Sequence, residues 1–220
     1  TSQRSSVLPL DGEGKPLHPV IMWHDKRSVP VCESLAGRCR DIYAICGMRP
    51  TPVFSAPKMR WLRDSKPEVY AKAAKLAGIH DYLLFLLTGG FVTDTSLASR
   101  TNLFDIRKLD WSGELLDIFG IDKNKLCDAI PVGSVCGRAD TAFARAAGLP
   151  QGIPVISAGG DQQCAALGLG VMEHGEICVN AGSGAYAIAV ADEPCFDPAM
   201  RVLCNVAAVP GKWVIEGAVL

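Results

Sequence analysis

The sequence predicts an α/β fold built from two parts that differ in their periodicity. In the first part, short apolar segments at residues 19–23 and 154–157 are typical of buried strands, and amphipathic segments between them are typical of helices. Beyond Gly170 the apolar residues recur with period two in short runs joined by turns, which predicts an antiparallel meander. This change of pattern predicts a boundary between a first domain, residues 1–168, and a second domain, residues 169–220.

Apolar positions spaced by three and four residues identify the predicted helices. Leu35, Ile42 and Cys46 lie on one face of the first of them, which Gly47 ends. The hydroxyl-rich stretch at residues 93–102 predicts a loop that lines a pocket. The predicted helices cover residues 31–46, 57–63, 67–76, 81–87, 112–119 and 137–152.

Composition and charge exclude several classes of function. The chain has 220 residues, 49% of them hydrophobic, and a formal net charge of -1 without a basic cluster, which argues against nucleic-acid partners. No apolar run approaches the ~20 residues of a membrane-spanning helix. The nine cysteines form no CxxC pair, so we interpret them as buried thiols, and the four histidines lack metal-ligand spacing. We therefore expect a soluble, cytoplasmic protein, with a homodimer as one possible assembly.

The segment SAGGDQQCAALGLG, residues 157–170, carries the strongest chemical signal. Asp161 follows a strand-like run and precedes a helix-like one, which places its carboxylate at the carboxyl edge of a sheet, where open α/β folds bind ligands. As an N-cap it would merely satisfy backbone N–H groups, and on position alone the two interpretations are equally good. The pair Gly159-Gly160 favours a ligand site, because glycines let another group approach the backbone, and Gln162 adds a donor and an acceptor.

A second loop, residues 180–185, has the sequence NAGSGA between two strand-like runs. Its backbone N–H groups and its hydroxyl can point at phosphate oxygens, although an ordinary hairpin also uses such a turn. Together the two loops predict a cleft with a base on one wall and a phosphate cradle on the other.

Five segments in order resemble the FGGY carbohydrate kinases, which phosphorylate sugars and polyols with ATP. AGGDQQCAALGLG resembles the catalytic-base segment of that family, SAPKMRWLRD its K-x-x-W signature and IMWHDKR its substrate-side strand end. DYLLFLLTGGFVTDTSLASRTNLFDI and AGSG follow in the order of the family. The resemblance implies part of an actin-like ATPase (ribonuclease H-like) fold.

The resemblance also implies roles for individual residues. Asp161 would be the general base and would hold Mg²⁺ through water, in keeping with the need of phosphoryl transfer for a carboxylate that orients the nucleophile. The substrate, a sugar or polyol, would contact Arg4, Trp23 and Gln162. The ATP phosphates would contact Gly182, Ser183 and Gly184.

Other residues of these motifs favour structural roles. We interpret Trp61 as a core residue, Lys58 as a surface ion or a residue behind the site, and Asp25 with Arg27 as an ion pair at a strand end. For the hydroxyl-rich stretch at residues 93–102 we expect loop shaping.

Two departures from the glycerol kinases bear on the substrate. Ser5 follows Arg4 where those enzymes have an acid, and Val53 stands where they have a tyrosine, which argues against glycerol. The chain also lacks the D-x-G-T and adenosine segments of the family, so we expect a central fragment that is inactive alone. The alternative is a non-catalytic relative of the same fold that binds a nucleotide or a partner.

Overall fold

The computed structural model describes residues 1–181 and 185–219, which form helices and five small groups of paired strands. The helices are α1 Val29–Ser34, α2 Cys39–Cys46, α3 Ser55–Ser65, α4 Pro67–Lys72, α5 Ile79–Thr88, α6 Thr95–Ala98, α7 Gly113–Phe119, α8 Ala142–Ala146 and α9 Asp161–Gly168. The strands are β1 Leu8–Leu10, β2 Lys75–Ala77, β3 Val92–Asp94, β4 Phe104–Asp105, β5 Asp110–Trp111, β6 Asp128–Ile130, β7 Val135–Arg138, β8 Pro154–Ile156, β9 Ile177–Ala181, β10 Ala185–Ala191, β11 Leu203–Val206 and β12 Trp213–Val219. No helix in these two ranges is long and apolar enough to cross a membrane.

The period-two part forms one four-stranded antiparallel sheet, as predicted, but its order is β11-β12-β10-β9. A meander would place β11 beside β10, and this part of the prediction is wrong. The connection at residues 192–202 is held against the first part of the chain instead: the Tyr43 hydroxyl donates to the Val202 carbonyl (2.9 Å) and accepts from the Asp197 N–H (3.1 Å). β12 pairs between β10 and β11.

Two predicted helices are shorter than expected. The helix at 31–46 is interrupted at Leu35, where a 3₁₀ turn, Ala36–Arg38, separates α1 from α2, and Gly47 ends α2 in the left-handed conformation. The helix predicted at 67–76 ends at Lys72, because the following residues pair with β1 as β2. Tertiary pairing thus overrides the local helical pattern.

The hydroxyl-rich stretch at 93–102 is not a loop, although Thr93, Leu97 and Thr101 line a pocket, as predicted. It forms the end of β3, α6 and a 3₁₀ turn, Ser99–Thr101, and all but Thr101 of its residues are buried. Its hydroxyls bond within the protein: Ser99 donates to the Ser96 carbonyl (2.9 Å) and Thr101 to the Ala98 carbonyl (2.7 Å). Internal hydrogen bonds let polar side chains enter the core.

The other differences concern short elements. Of the helix predicted at 137–152 only α8 forms, capped by the Thr141 hydroxyl, while β7 ends at Arg138. Residues 19–23 make one isolated bridge, between Ile21 and Val7, rather than a strand. β8 forms as predicted but pairs antiparallel with β7 and is largely exposed rather than buried.

Two hydrophobic clusters matter for the position of the site. The largest joins α1–α4 and α7, with Ile42, Leu62 and Phe119 fully buried. A smaller one packs Ala166 of α9 against Ile188 and Val214 of the four-stranded sheet. The sheet therefore fixes the direction in which α9 presents its first residue.

Candidate active site

Asp161 is the first residue of α9, and Gly160 takes the N-cap position. Its N–H donates to the Ser2 carbonyl (3.0 Å), and its carboxylate Oδ1 accepts from the Gln162 N–H (2.8 Å) and lies 3.3 Å from Arg4 Nε. The side chain is 46% exposed. The carboxylate is therefore an exposed anion at the positive end of a helix, rather than the N-cap of that helix.

The glycine pair allows three side chains to approach the backbone closely, in keeping with the close approach that the sequence predicted. A Cβ on Gly160 would lie 2.5 Å from Arg4 Cδ and 2.7 Å from Gln163 Oε1, and a Cβ on Gly159 would lie 2.8 Å from Ser96 Oγ. Gly159 also has φ +107, which disfavours any other residue. The approaching side chains belong to this chain itself, and one of them, Arg4, forms an ion pair with Asp161.

Arg4 lies against Asp161, as the resemblance implies for two residues of one site, and it is tightly held. Its Nη1 donates to Glu216 Oε1 (2.5 Å) and to Gln163 Oε1 (2.9 Å), and its Nη2 donates to Glu216 Oε2 (3.1 Å). The side chain is only 10% exposed. Three of its five N–H groups donate hydrogen bonds to Glu216 and Gln163, and Nε forms an ion pair with Asp161.

Gln163, Glu216 and Arg100 also belong to this cluster, and none of them was predicted from the sequence. Gln163 is buried and spans from Arg4 to the carbonyls of Ser96 (3.5 Å) and Val206 (3.4 Å). Of the two adjacent glutamines we chose Gln162 alone, although residue 163 faces inward from α9. No local pattern marks Glu216 or Arg100, since both act through partners far away in the sequence.

A buried polar cluster holds the start of α9. The Asp94 carboxylate accepts from Ser96 N (2.8 Å) and Ser96 Oγ (2.6 Å), and Ser96 Oγ accepts from the Gly160 N–H (3.1 Å). Ser157 Oγ donates to Asp94, and His80 Nε2 lies 2.8 Å from that same hydroxyl. Burial lowers the pKa of His80 although Asp94 opposes this effect, so the imidazole is neutral at pH 7. Because Ser157 is fully buried, the cluster positions the backbone and holds no nucleophile for a ligand.

Lys58 is fully buried, and the expectation of a surface ion is wrong. Its ammonium donates to the carbonyls of Ser5 (3.0 Å) and Phe54 (3.1 Å) and to that of Val53. Ser5 is a non-glycine residue with φ +66, a conformation that costs free energy unless its surroundings hold it. Lys58 supplies this support directly beside Arg4. It therefore acts behind the site, which is the second of the two expectations for this residue.

Trp23 and Gln162 are less closely tied to the cluster. Trp23 is 47% exposed and packs edge-on against His24, with ring centroids 5.4 Å apart. Gln3 Nε2 donates to Met22 Sδ (3.7 Å), which links the segment of Trp23 to the loop of Arg4. Gln162 is half-buried beside Asp161. Both side chains are free to meet a ligand. Gly182, Ser183 and Gly184 lie outside the described residues.

The structural roles expected for the remaining motif residues are found. Arg27 and Asp25 form an ion pair, with 2.8 Å between Nη2 and Oδ2, and the Arg27 hydrogen bond lowers the pKa of Asp25. Trp61 packs against the largest core cluster, and the Arg27 guanidinium lies 4.7 Å from its ring centroid.

The donor set around Asp161 suits a hydrated hard cation. In the described part of the chain, no group of three His, Cys, Asp or Glu side chains could hold a metal ion. A single exposed carboxylate is nonetheless sufficient for Mg²⁺, which keeps several waters and takes its remaining ligands from phosphate oxygens. Both contacts of the Asp161 side chain use Oδ1, and an exposed second oxygen fits this mode of binding.

Comparison with known proteins identifies the class to which this fold and site belong. Two solved kinases superpose on almost the whole chain: ligand-bound xylulose kinase from Lactobacillus acidophilus, with a TM-score of 0.92, 27% identity and coverage of 99% of this chain and 45% of that one; and Plasmodium falciparum glycerol kinase with ADP, with a TM-score of 0.91, 26% identity and coverage of 100% and 46%. The chain therefore has part of the actin-like, ribonuclease H-like fold of these kinases.

The family follows from the sequence. The model of the N-terminal domain of the FGGY family of carbohydrate kinases matches residues 1–168, and the chain belongs to that family. It is also similar to glycerol kinase from Thermococcus gammatolerans, with 38% identity over 194 residues that cover 86% of this chain and 38% of that protein. The chain thus spans less than half the length of these relatives.

Proposed function

We propose that residues 1–220 form part of an ATP-dependent kinase that phosphorylates a hydroxyl of a sugar or polyol, with Asp161 as the general base. The observation that carries the proposal is the exposed Asp161 carboxylate, which lies at the start of α9 and 3.3 Å from Arg4 Nε. Membership of a carbohydrate kinase family supports the reaction class. The division into domains 1–168 and 169–220 belongs to this proposal, and the family match over residues 1–168 supports its first part.

In the proposed reaction the substrate hydroxyl lies against Asp161. Its oxygen forms a bond to the γ-phosphorus of ATP, the bond from that phosphorus to the β–γ bridging oxygen breaks, and ADP leaves with the electron pair. The hydroxyl proton passes to the Asp161 carboxylate. Arg4 forms an ion pair with this carboxylate, and its Nη2, which donates one hydrogen bond to Glu216, has a second N–H group for a substrate oxygen, while Gln162 and Trp23 contribute an amide and an exposed ring.

The nucleotide and the metal would come together at the same edge. By resemblance, Gly182, Ser183 and Gly184 contact the ATP phosphates, and Asp161 holds Mg²⁺ through water. The similar Plasmodium kinase was solved with ADP, which supports a nucleotide site in this fold. Mg²⁺ supplies charge neutralisation of the transferring phosphoryl group.

The relatives support a class of substrate rather than one particular compound. The similar proteins are glycerol and xylulose kinases, so a small polyhydroxylated substrate is the shared chemistry. Ser5 and Val53 favour a substrate other than glycerol, because both replace a polar or acidic group that glycerol kinases carry. In keeping with this, the Ser5 hydroxyl is directed at the Arg100 carbonyl (3.4 Å), inside the protein.

Replacing Asp161 tests the proposal. In the full-length polypeptide that contains these residues, Asp161→Asn should lower kcat by ~10²–10⁴ on the best of a panel of polyols, ketoses and aldonates, because the amide cannot take the proton. The control is Asp117→Asn, which removes an exposed carboxylate from α7.

Near-parental turnover of Asp161→Asn would remove Asp161 from the role of base. A parent that phosphorylates no member of the panel, yet binds nucleotide, would favour the alternative of a non-catalytic relative.

A further inference from the structure

Glu216 joins the four-stranded sheet to the candidate active site. It lies on β12, far along the chain from Arg4. Its carboxylate accepts hydrogen bonds from both terminal nitrogens of the Arg4 side chain, at 2.5 Å and 3.1 Å. It also lies 3.3 Å from Arg100 Nη1, and Asn205 Nδ2 donates to its Oε1 (3.3 Å). The carboxylate is therefore bonded on both oxygens, and its principal partner is Arg4.

The surroundings keep this carboxylate charged although it is buried. Burial by itself raises the pKa of Glu216, but the charges of Arg100 and Arg4 and the Arg4 hydrogen bond outweigh it, so the pKa lies below its ordinary value. Arg100 is buried as well, and burial together with the charge of Arg4 lowers the pKa of Arg100 to about 10, which still leaves it protonated at pH 7. Two cations and two anions, Asp161 being the second, thus balance in one cluster.

The bidentate contact determines which nitrogen of Arg4 faces Asp161. A planar guanidinium that donates from Nη1 and Nη2 to one carboxylate has its orientation fixed, and Nε is then the nitrogen that lies 3.3 Å from Asp161 Oδ1. Gln163 holds Nη1 from a second side. Without Glu216, Arg4 would be free to turn its terminal nitrogens towards Asp161 and cover the oxygen that the proposed reaction needs.

We propose that Glu216 is a positioning residue, which orients Arg4 from the four-stranded sheet and so keeps Asp161 open to the substrate hydroxyl. The proposal rests on the proposed function for its kinetic consequence. Its structural consequence, the orientation of the Arg4 guanidinium, is independent of any activity.

The kinetic test uses Glu216→Gln in the full-length polypeptide, with Glu114→Gln on the exposed face of α7 as the matched control. The amide keeps the size of the side chain but loses the charge and one acceptor. We expect the KM for the sugar or polyol to rise at least tenfold while the KM for ATP stays within twofold. Glu216→Asp, which restores the charge on a shorter arm, should recover part of the loss.

Equal changes in both KM values, or no change in either, would overturn the proposal. If Glu216→Gln does not fold, Glu216→Asp alone decides, because an unchanged KM for the sugar or polyol in that variant also overturns it.

Crystal structures of the parent and Glu216→Gln separate this proposal from the proposed function. If no kinase activity is found in the parent, the proposed function fails. The position of the Arg4 guanidinium then still tests whether Glu216 orients Arg4. A guanidinium that turns its terminal nitrogens to Asp161 supports the positioning role of Glu216. One that stays in place overturns it.

Discussion

Asp81 is a buried carboxylic acid that couples the stability of the protein to pH. It lies in the first turn of α5, and its Oδ2 accepts from the Gly78 N–H (2.7 Å). Burial raises its pKa to about 6, although the Gly78 and Thr93 hydrogen bonds act in the opposite direction. Because the unfolded chain loses this proton near pH 4 and the folded one near pH 6, the native state binds more protons between these values. The contribution of Asp81 to stability therefore falls as the pH rises through this window.

Asp81→Asn should remove this dependence, since an amide can still accept the Gly78 N–H without ionising. The Tm of the variant minus that of the parent should rise by roughly 3 to 6 °C between pH 4 and pH 7, the equivalent of ~1–3 kcal/mol. Thermal melts of the full-length polypeptide at several pH values measure it. Asp117→Asn shows the general effect of removing one carboxylate, and an equal pH dependence in both variants would exclude Asp81 as its source.

At the scale of elements, α9 depends on a glycine at its N-cap for the space that Arg4 occupies. Gly160 has φ -68, so alanine there meets no backbone strain, and the nearest obstacles to its Cβ are the side chains of Arg4 and Gln163. Gly160→Ala should therefore displace Arg4 and lower kcat/KM at least tenfold, with a Tm within a few degrees of the parent. Steady-state kinetics and a thermal melt measure the two quantities.

The matched control lies at the other end of the same helix. A Cβ on Gly168 would meet nothing within 4 Å, and alanine in a helix is more stable than glycine by ~0.5–1 kcal/mol. Gly168→Ala should keep the parental activity and melt slightly higher. Parental activity in Gly160→Ala would show that Arg4 works equally well in another position.

Local chemistry explains which elements could be predicted from the sequence. Gly47, Gly89 and Gly120 end their helices in the left-handed conformation, and such stops are visible in the sequence. The period-two runs predicted the strands of the sheet, although not their order. β2 was missed because its residues continue a helical pattern, and only pairing with β1 makes them a strand.

The same distinction between local signals and long-range contacts applies to the residues of the site. Asp161 and the glycine pair carry their signal within one short segment, and the resemblance added Arg4. Glu216 and Arg100 were missed because their role depends on contacts that exist only in the folded structure, in which β12 lies beside the start of α9. For Lys58 the sequence left a surface ion and a residue behind the site as alternatives, since a lysine in an amphipathic helix gives no sign of the three carbonyl groups that surround it.

At the scale of the whole molecule, the four-stranded sheet contacts the preceding part of the chain at several points besides Glu216. The Cys204 N–H donates to the Gly47 carbonyl (3.0 Å), and Trp213 Nε1 donates to the Ile106 carbonyl (2.9 Å). Cys204 and Val206 share a buried cluster with Phe104 and Ile106. Apolar packing and directed hydrogen bonds thus hold the sheet in the register that brings Glu216 to Arg4.

Tyr43 connects α2 to the segment at residues 192–202, and removal of its hydroxyl should loosen that segment. Tyr43→Phe deletes one donated and one accepted hydrogen bond and leaves the Val202 carbonyl and the Asp197 N–H without these partners, which costs ~1–3 kcal/mol. We expect a lower Tm and faster tryptic cleavage after the exposed Arg201. Tyr82→Phe is the control, because the hydroxyl of Tyr82 bonds to none of the residues in 1–181 and 185–219. If both variants melt alike and resist trypsin as the parent does, the Tyr43 hydroxyl does not hold this segment, and apolar packing alone keeps the sheet in register.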